Sequence, residues 1–315
     1  MLDGKDIRRW DIRFAAANDL AAVRRLTPAM YTTSSAPDQV LVAMRLGGTE
    51  LAGAAAISWR AWGKPAGFPL HVSVVEPERR QGLGRALVRA AALACRGETE
   101  RFYNWVAIED GADPALFARA VGFDVHRRTL HYEADVLPLF TLVDAIHARL
   151  QQRGSIPANA RTISLANAPA ASVARLVSAT FGTRYDVALS SIQGQMAGSY
   201  DTANSVVLVV NGEVSGALLC RWTAEGVPEI DVRVIAPHLQ GRWANVALLR
   251  HIIHNSFTVG AKRFRFSCED ANTDTISLAR RTHALLLQTR VEVTAPLEKL
   301  ALSAELYDER PQAAR

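Results

Sequence analysis

The sequence predicts an α/β protein made of two similar domains, each with a mixed, largely antiparallel, twisted sheet flanked by helices. Three observations support this prediction. An alternating apolar run is followed by a glycine-containing turn and a helix. The same order of elements then occurs a second time along the chain, and a helix with an apolar stripe separates the two copies.

The first copy is organised around residues 70–87. Residues 70–75 alternate as a half-buried strand does, and Pro77 ends the strand. The Ala- and Leu-rich residues 85–95 predict a helix. The first amides of a helix have no internal partner, and the helix dipole makes that end positive, so this arrangement predicts an anion site.

The turn between the strand and the helix carries Gly82 and Gly84, which allow an anion to approach the backbone closely. Positive charge is added by three arginines, Arg79, Arg80 and Arg85. Leu87 stands where a dinucleotide-binding motif has its third glycine, and the Gly-Lys-Ser/Thr of a P-loop is missing from the turn. The turn is therefore of neither of these two kinds.

Arg79-x-x-Gly82-x-Gly84, after a strand that ends in Val-Glu-Pro, resembles the pyrophosphate-binding turn of the GNAT superfamily of acyl-CoA N-acyltransferases. The resemblance implies that acetyl-CoA, or another acyl-CoA, is the co-substrate and that backbone amides bind its pyrophosphate. It also implies that backbone groups near the end of the strand bind the pantetheine or the thioester oxygen. The residues implied in binding are Val74, Val75, Arg79, Arg80, Gln81, Gly82, Leu83, Gly84, Arg85 and Ala86.

The resemblance further implies direct acyl transfer to a neutral amine within a ternary complex. The candidate general bases are His71 or Ser73, which share one face of the strand, and Glu109, with water as an alternative. His71 also fits a structural role in its strand. The tyrosine acid that many members carry is replaced by Ala118, and Gly111 replaces the asparagine that often opens the same helix.

The remaining elements of the first copy alternate between strands and helices. Gly47-Gly48 predicts a hairpin between two strands. The predicted strands are residues 10–14, 39–45, 51–59, 102–108 and 124–133, and the predicted helices are residues 20–26 and 114–121. The segments that flank the acceptor cleft in the family carry the candidate wall residues Trp59, Trp62, Met30 and Tyr31.

Residues 137–153 place apolar side chains on one helical face, which a bare linker would lack. We therefore expect an N-terminal domain at 1–136, a bridging helix and linker at 137–158, and a C-terminal domain at 159–315. The second copy contains a hairpin around Asn211-Gly212 and ends in a strand at 288–293.

The turn of the second copy, Pro237-x-x-Gln240-Gly241-Arg242, again resembles the acyl-CoA turn. Trp243 and Asn245 stand where the family has its two glycines. Their side chains fill the space that a pyrophosphate requires, so the C-terminal domain is expected not to bind coenzyme A.

Composition is that of a soluble protein with 49% hydrophobic and 21% charged residues. The net charge of +5 suits an anionic ligand, and no basic run interleaved with aromatic residues indicates nucleic acid. Three scattered cysteines predict reduced thiols in the cytoplasm, and the histidines show no metal-binding spacing. The N-terminus shows no apolar signal region, and no apolar stretch is long enough for a membrane span.

The function expected from the sequence is N-acylation of a primary amine on a small molecule, peptide or protein, by a monomer or homodimer. Two alternatives remain open. One is a non-catalytic acyl-CoA sensor, because the usual tyrosine and asparagine are missing. The other is an active second copy that binds an unusual ligand over Trp243.

Overall fold

The computed structural model describes residues 9–28, 37–59, 66–182, 184–196, 199–241 and 243–302. The chain divides into two compact units. Unit 1 comprises residues 1–128 and 290–315, and unit 2 comprises residues 129–289. Each unit has a mainly antiparallel sheet with helices packed on it, which confirms the predicted fold class.

Unit 1 contains the first ten of the elements described here, the tenth only in part, together with the end of the last strand and the last helix. They are β1 (Trp10–Phe14), α1 (Leu20–Leu26), β2 (Gln39–Arg45), β3 (Leu51–Ile57), β4 (Phe68–Val74), α2 (Leu83–Ala94), β5 (Arg101–Asn104), β6 (Ile108–Glu109), α3 (Asp113–Ala120) and the beginning of β7 (Asp124–Asp135), followed at the C-terminus by α9 (Leu297–Leu302).

Unit 2 receives the chain from β7. Its elements are α4 (Val136–Gln152), β8 (Ala160–Ser164), α5 (Ala170–Phe181), α6 (Tyr185–Ile192), β9 (Val206–Val210), β10 (Glu213–Trp222), β11 (Pro228–Ile235), α7 (Trp243–Thr258), β12 (Arg263–Glu269), α8 (Thr273–Arg281) and the beginning of β13 (Leu285–Pro296).

The two sheets have matching strand orders. In unit 1 the order is β1-β2-β3-β4-β5-β13, and β6 also pairs with β13. In unit 2 the order is β7-β12-β11-β10-β9-β8. Each sheet contains one parallel pair, β4 with β5 and β11 with β12, because α2 and α7 form the crossover connections between those strands.

The observed units differ from the expected domains 1–136, 137–158 and 159–315 at the C-terminal strand. Thr294, Ala295 and Pro296 of β13 pair with β5 in unit 1, although the sequence division assigns them to the second domain. The last part of β7, from Thr129, pairs instead with β12 in unit 2. An alternating strand pattern does not specify its pairing partner, so only tertiary contacts decide this assignment.

The helix expected to be a bridge, α4, belongs to the body of unit 2. Val136, Leu139 and Val143 are buried in the same core as residues of α7. The amide of Val136 donates to the carbonyl of Lys262 at 2.9 Å. The apolar stripe of α4 is therefore a packing surface of unit 2.

Both faces of the unit 1 sheet are covered. On one face Leu83, Leu87 and Val88 of α2 pack on the strands. On the other face Val23 of α1 packs against residues that include Val42. In unit 2 the equivalent faces are covered by α4 with α7 and by α5 with α6. The two faces of unit 1 are important for the site, because side chains of β4 alternate between them.

The three cysteines, Cys95, Cys220 and Cys268, are buried and form no disulfide. Burial raises the pKa of the Cys95 thiol to about 11 and that of the Cys220 thiol to about 12, so both remain protonated at neutral pH. None of the helices described here is long and apolar enough to cross a membrane.

Candidate functional site

The turn before α2 has the backbone conformation that an anion site requires. Gly82 is the N-cap of α2, with φ +93° and ψ −13°. The first helical hydrogen bond runs from the Ala86 amide to the Gly82 carbonyl at 3.1 Å. Because that bond begins the helical pattern, the amides of Leu83 and Gly84 have no partner within the helix. Ala86, which the resemblance included among the binding residues, uses its amide within the helix.

The side chains of the turn stabilise its backbone. Arg79 Nε donates to the Val74 carbonyl at 3.1 Å, and Gln81 Nε2 donates to the Pro77 carbonyl at 2.7 Å. Leu83 is buried in the core of unit 1. These three side chains hold the turn in place, and the Arg80 side chain is exposed.

Gly82 and Gly84 meet different requirements. A Cβ on Gly82 would meet no atom within 4 Å, so this position needs glycine because of its positive φ. A Cβ on Gly84 would lie 2.9 Å from Cε2 of Phe117, so this position needs glycine because an aromatic ring lies against it. The sequence did not predict this contact, because Phe117 follows Gly84 by 33 positions and lies on α3.

Strands β4 and β5 separate halfway along their length. Their pairing ends at Leu70 opposite Asn104. On the other side of β4, the amide of Ser58 donates to Pro69 and the amide of Val75 donates to Ala52, both at 3.0 Å.

Because backbone groups alternate between the two sides of a strand, those of Val72 and Val74 turn towards the β5 side, beyond the last β4–β5 pair. Val74 was predicted to offer its backbone: its amide turns to the β5 side, but its carbonyl already accepts from Arg79 Nε. Val75 was predicted to offer its amide as well. That prediction is wrong for its N–H, which is bonded to Ala52.

Asn104 lies where the two strands separate, and the sequence analysis missed it. Its Oδ1 accepts from the Val293 amide at 2.8 Å, and its Nδ2 donates to the Val106 carbonyl at 2.7 Å. Residues 102–108 were predicted to form one strand, but the structure has β5 ending at Asn104 and β6 beginning at Ile108. The Asn104 side chain thus connects the interrupted strand to β13.

His71 and Ser73 lie on the face of β4 that is covered by α1. Ser73 Oγ donates to the Leu26 carbonyl at 3.2 Å. Burial lowers the pKa of His71 below its ordinary value of 6.5, so the ring is neutral at neutral pH. Glu109, the other candidate base, is exposed on β6 and lies opposite Arg290. The structure therefore places the two candidates on different strands.

The candidate wall residues are only partly described. Trp59 is 52% exposed, and its amide donates to Asp38 Oδ2 at 2.8 Å. Trp62, Met30 and Tyr31 lie outside the described residues. Ala118, which takes the place of the family's tyrosine, is buried in the core of unit 1, so its side chain supplies no acid.

The corresponding turn of unit 2 repeats the geometry of the first but has different side chains. Gln240 Nε2 donates to the Ile235 carbonyl at 3.1 Å, as Arg79 does to Val74, and Gly241 has φ +69° where Arg80 has φ +60°. This correspondence aligns Trp243 with Gly82 and Asn245 with Gly84.

Trp243 is only 7% exposed and belongs to the main core of unit 2, so its indole packs inward from the start of α7. Asn245 Oδ1 is buried without a hydrogen-bond partner among the described residues. Arg233 Nη1 donates to Thr275 Oγ1 at 3.0 Å, which connects β11 to the first turn of α8. The side chains of Trp243 and Asn245 therefore occupy the two positions that are glycine in the turn of unit 1.

Residues 6–123 match the model of the acetyltransferase (GNAT) family. A search of curated proteins found no match. Among the described residues, no group of three or more His, Cys, Asp and Glu side chains has the arrangement of a metal site.

Several solved structures share the fold over nearly the whole chain. A GCN5-related N-acetyltransferase from Sphaerobacter thermophilus is 17% identical, with a TM-score of 0.55 and coverage of 92% of this chain and 96% of that one. A tandem GNAT protein from the clavulanic acid biosynthesis pathway is 16% identical, with a TM-score of 0.53 and coverage of 91% and 98%. A probable N-acyltransferase from Enterococcus faecalis is 12% identical, with a TM-score of 0.62 and coverage of 93% and 74%.

Residues 6–123 are therefore similar to the GNAT acetyltransferase family, and the chain as a whole shares its fold with the tandem GNAT protein.

Proposed function

We propose that this protein is an acyl-CoA-dependent N-acyltransferase that acylates, most simply acetylates, the primary amine of a small molecule or peptide. The observation that carries the proposal is the start of α2, where the amides of Leu83 and Gly84 precede the first helical hydrogen bond and follow a glycine at φ +93°. Together with the helix dipole, such a pair of amides is an anion site of the size of a phosphate group.

Acyl-CoA fits the groups that unit 1 offers. The amides of Leu83 and Gly84 would hold the pyrophosphate. The backbone of Val72 and the amide of Val74, beyond the last β4–β5 pair, would bind the pantetheine or the thioester oxygen. Phe117 provides an aromatic surface beside Gly84. All of these proposed contacts lie in unit 1.

The nitrogen of the neutral amine would attack the acyl carbon of the thioester and form the new C–N bond. The C–S bond would then break, coenzyme A would leave as its thiolate, and the proton lost by the amine nitrogen would pass to the base and finally to the thiolate. The protein must keep that amine neutral, and His71 is our proposed proton acceptor because burial keeps its ring neutral at physiological pH. Glu109 is the second candidate. A donor for the developing oxyanion would come from the backbone of β4 and does not depend on side-chain identity.

Unit 2 is proposed to support unit 1 without binding coenzyme A. Trp243 packs where unit 1 has Gly82, and its indole belongs to the unit 2 core. Unit 2 leads the chain into β13, whose final residues complete the unit 1 sheet beside β5.

The test combines binding and turnover on the full chain. Calorimetric titration with acetyl-CoA should show saturable binding, and thiol release should rise when amines from a panel of small molecules and peptides are added. Failure to bind acetyl-CoA would contradict the proposal. Binding without turnover across the amine panel would favour the non-catalytic sensor, which the buried alanine at Ala118 keeps as the second candidate.

A further inference from the structure

A cavity of about 410 Å³ lies in unit 1 beside the turn that precedes α2. It is lined by Arg9, Trp10, Arg45, Leu46, Glu78 and Gln81. We call it the Arg9–Arg45 pocket. Its lining comes from the start of β1, the end of β2 and the turn itself, so the pocket and the turn share one end of the sheet.

One side of the pocket carries the carboxylate of Glu78, whose negative charge is paired with a neighbouring arginine. Glu78 is only 5% exposed, and its Oε2 accepts from Trp10 Nε1 at 3.1 Å while its Oε1 accepts from Arg45 Nε at 3.1 Å. The Arg45 guanidinium and the indole N–H hold the pKa of Glu78 below its ordinary value. The carboxylate is therefore charged, and the charge of Arg45 offsets it.

The other side of the pocket carries a positive charge that is bound to a neutral group. Arg9 Nη1 donates to Gln81 Oε1 at 3.1 Å, and Gln81 in turn donates to the Pro77 carbonyl at 2.7 Å. The Arg9 carbonyl accepts from the Leu46 amide at 2.8 Å, which fixes its backbone to the end of β2. With two arginines and one glutamate, the lining has a net positive charge and favours an anion.

We propose that the Arg9–Arg45 pocket binds the 3′-phosphate of the acyl-CoA, an inference that rests on the proposed function. Coenzyme A carries two separate anionic groups on one ribose, the diphosphate at the 5′ position and a monophosphate at the 3′ position. Gln81 belongs to both places, because its backbone lies in the turn and its side chain lines the pocket. One side chain therefore separates the proposed diphosphate site from the second basic site.

Arg80 is the competing residue for this role. Its side chain is 88% exposed and lies 3.7 Å from Asp113 in an exposed ion pair. It has no buried partner comparable to Glu78, and exposed charges are screened by solvent and salt. Arg9 and Arg45 are exposed as well, but each is held by a hydrogen bond, Arg45 to the buried Glu78 and Arg9 to Gln81. These hydrogen bonds make them the better organised partners for a phosphate.

The experiment measures the dissociation constants of coenzyme A and of 3′-dephospho-coenzyme A by calorimetry on the full chain and its variants. The unmodified protein should bind coenzyme A about tenfold more tightly than the dephospho form, which is the scale of one charge-assisted contact. Arg9→Gln should reduce this ratio to about twofold and leave the dissociation constant of the dephospho form unchanged. Arg9→Lys should restore part of the ratio because it keeps the charge.

Arg45 is tested together with its partner, because Arg45→Gln alone would leave the buried Glu78 carboxylate without its cation. The double variant Arg45→Gln/Glu78→Gln should also reduce the ratio. Arg153→Gln, an exposed arginine at the end of α4 in unit 2, is the control for loss of one positive charge and should leave both constants unchanged.

The outcomes separate this inference from the proposed function. Equal binding of the two coenzymes by the unmodified protein, or a ratio that survives Arg9→Gln and the double variant, would overturn the inference while acyl-CoA binding stands. A ratio that is lost in Arg80→Gln and kept in Arg9→Gln would overturn it as well. If neither coenzyme binds, the proposed function itself is contradicted.

Discussion

The two turns that precede α2 and α7 have the same backbone conformation but carry different side chains. Each turn has a long polar side chain bonded to the carbonyl at the end of the preceding strand, and each has a residue at positive φ directly after it. Gly82 then leaves its surroundings open, whereas Trp243 packs into the core. The comparison shows that a duplicated turn can keep its geometry for folding after its binding surface has been replaced.

Exchanging the residues of one turn for those of the other is expected to have the largest effect. Gly82→Trp/Gly84→Asn should weaken acetyl-CoA binding about thousandfold, because a side chain is forced into positive φ at one position and against Phe117 at the other. Calorimetry measures the change. Gly97→Asn, at φ +90° with nothing within 4 Å, is the matched control. Tight binding in the double variant would show that the first turn is not the coenzyme site.

The reverse comparison tests Trp243 as a packing residue. Trp243→Ala should lower the free energy of unfolding by about 3–5 kcal/mol, because it removes a large buried side chain from the unit 2 core. Calorimetric or denaturant unfolding measures the loss. The affinity for acetyl-CoA should be unchanged. A lost affinity with little change in stability would indicate that Trp243 contacts the ligand.

His71 has no histidine counterpart at the corresponding position of unit 2. His71→Gln should lower kcat/KM at neutral pH on the order of a hundredfold, because the proposed proton acceptor is removed. In the unmodified protein kcat/KM should fall only below pH 6.5, because burial depresses the pKa and the neutral ring persists into mildly acidic solution.

In His71→Gln this acid limb should disappear from the pH profile. If the limb persists and Glu109→Gln removes it instead, Glu109 is the base. Ser73→Ala, on the same face of β4, is the control for disturbed packing, because the Ser73 hydroxyl donates to the Leu26 carbonyl. This variant should keep the acid limb.

The smallest expected effect is at Asn104, which connects β5 to β13 at the separation of β4 and β5. Asn104→Ala should lower kcat about tenfold with little change in the KM for acetyl-CoA, because the separated edge is less well fixed while the turn remains intact. Asn104→Asp keeps the acceptor for the Val293 amide and should recover part of kcat. Equal rises in KM in both variants would contradict a positioning role.

Much of the architecture was contained in local patterns. Gly47 at φ +75° lies in the predicted first hairpin, and the Asn211-Gly212 pair has positive φ at both residues, as the predicted two-residue turn requires. The anion turn also followed from local residues, because strand, glycine and helix are adjacent in sequence. Helix α6 (Tyr185–Ile192) was not predicted, because its short apolar stripe only becomes meaningful where it packs against the unit 2 core.

The sequence by itself therefore determined the α/β class, the duplication and the two unlike turns, since each depends on residues close together in the chain. The tertiary structure decided that β13 completes the sheet of unit 1, that Phe117 lies against Gly84, that Val75 is already bonded to Ala52, and that Asn104 and Glu78 support the site. These contacts join residues far apart in sequence, and only the packing of the folded chain selects such partners.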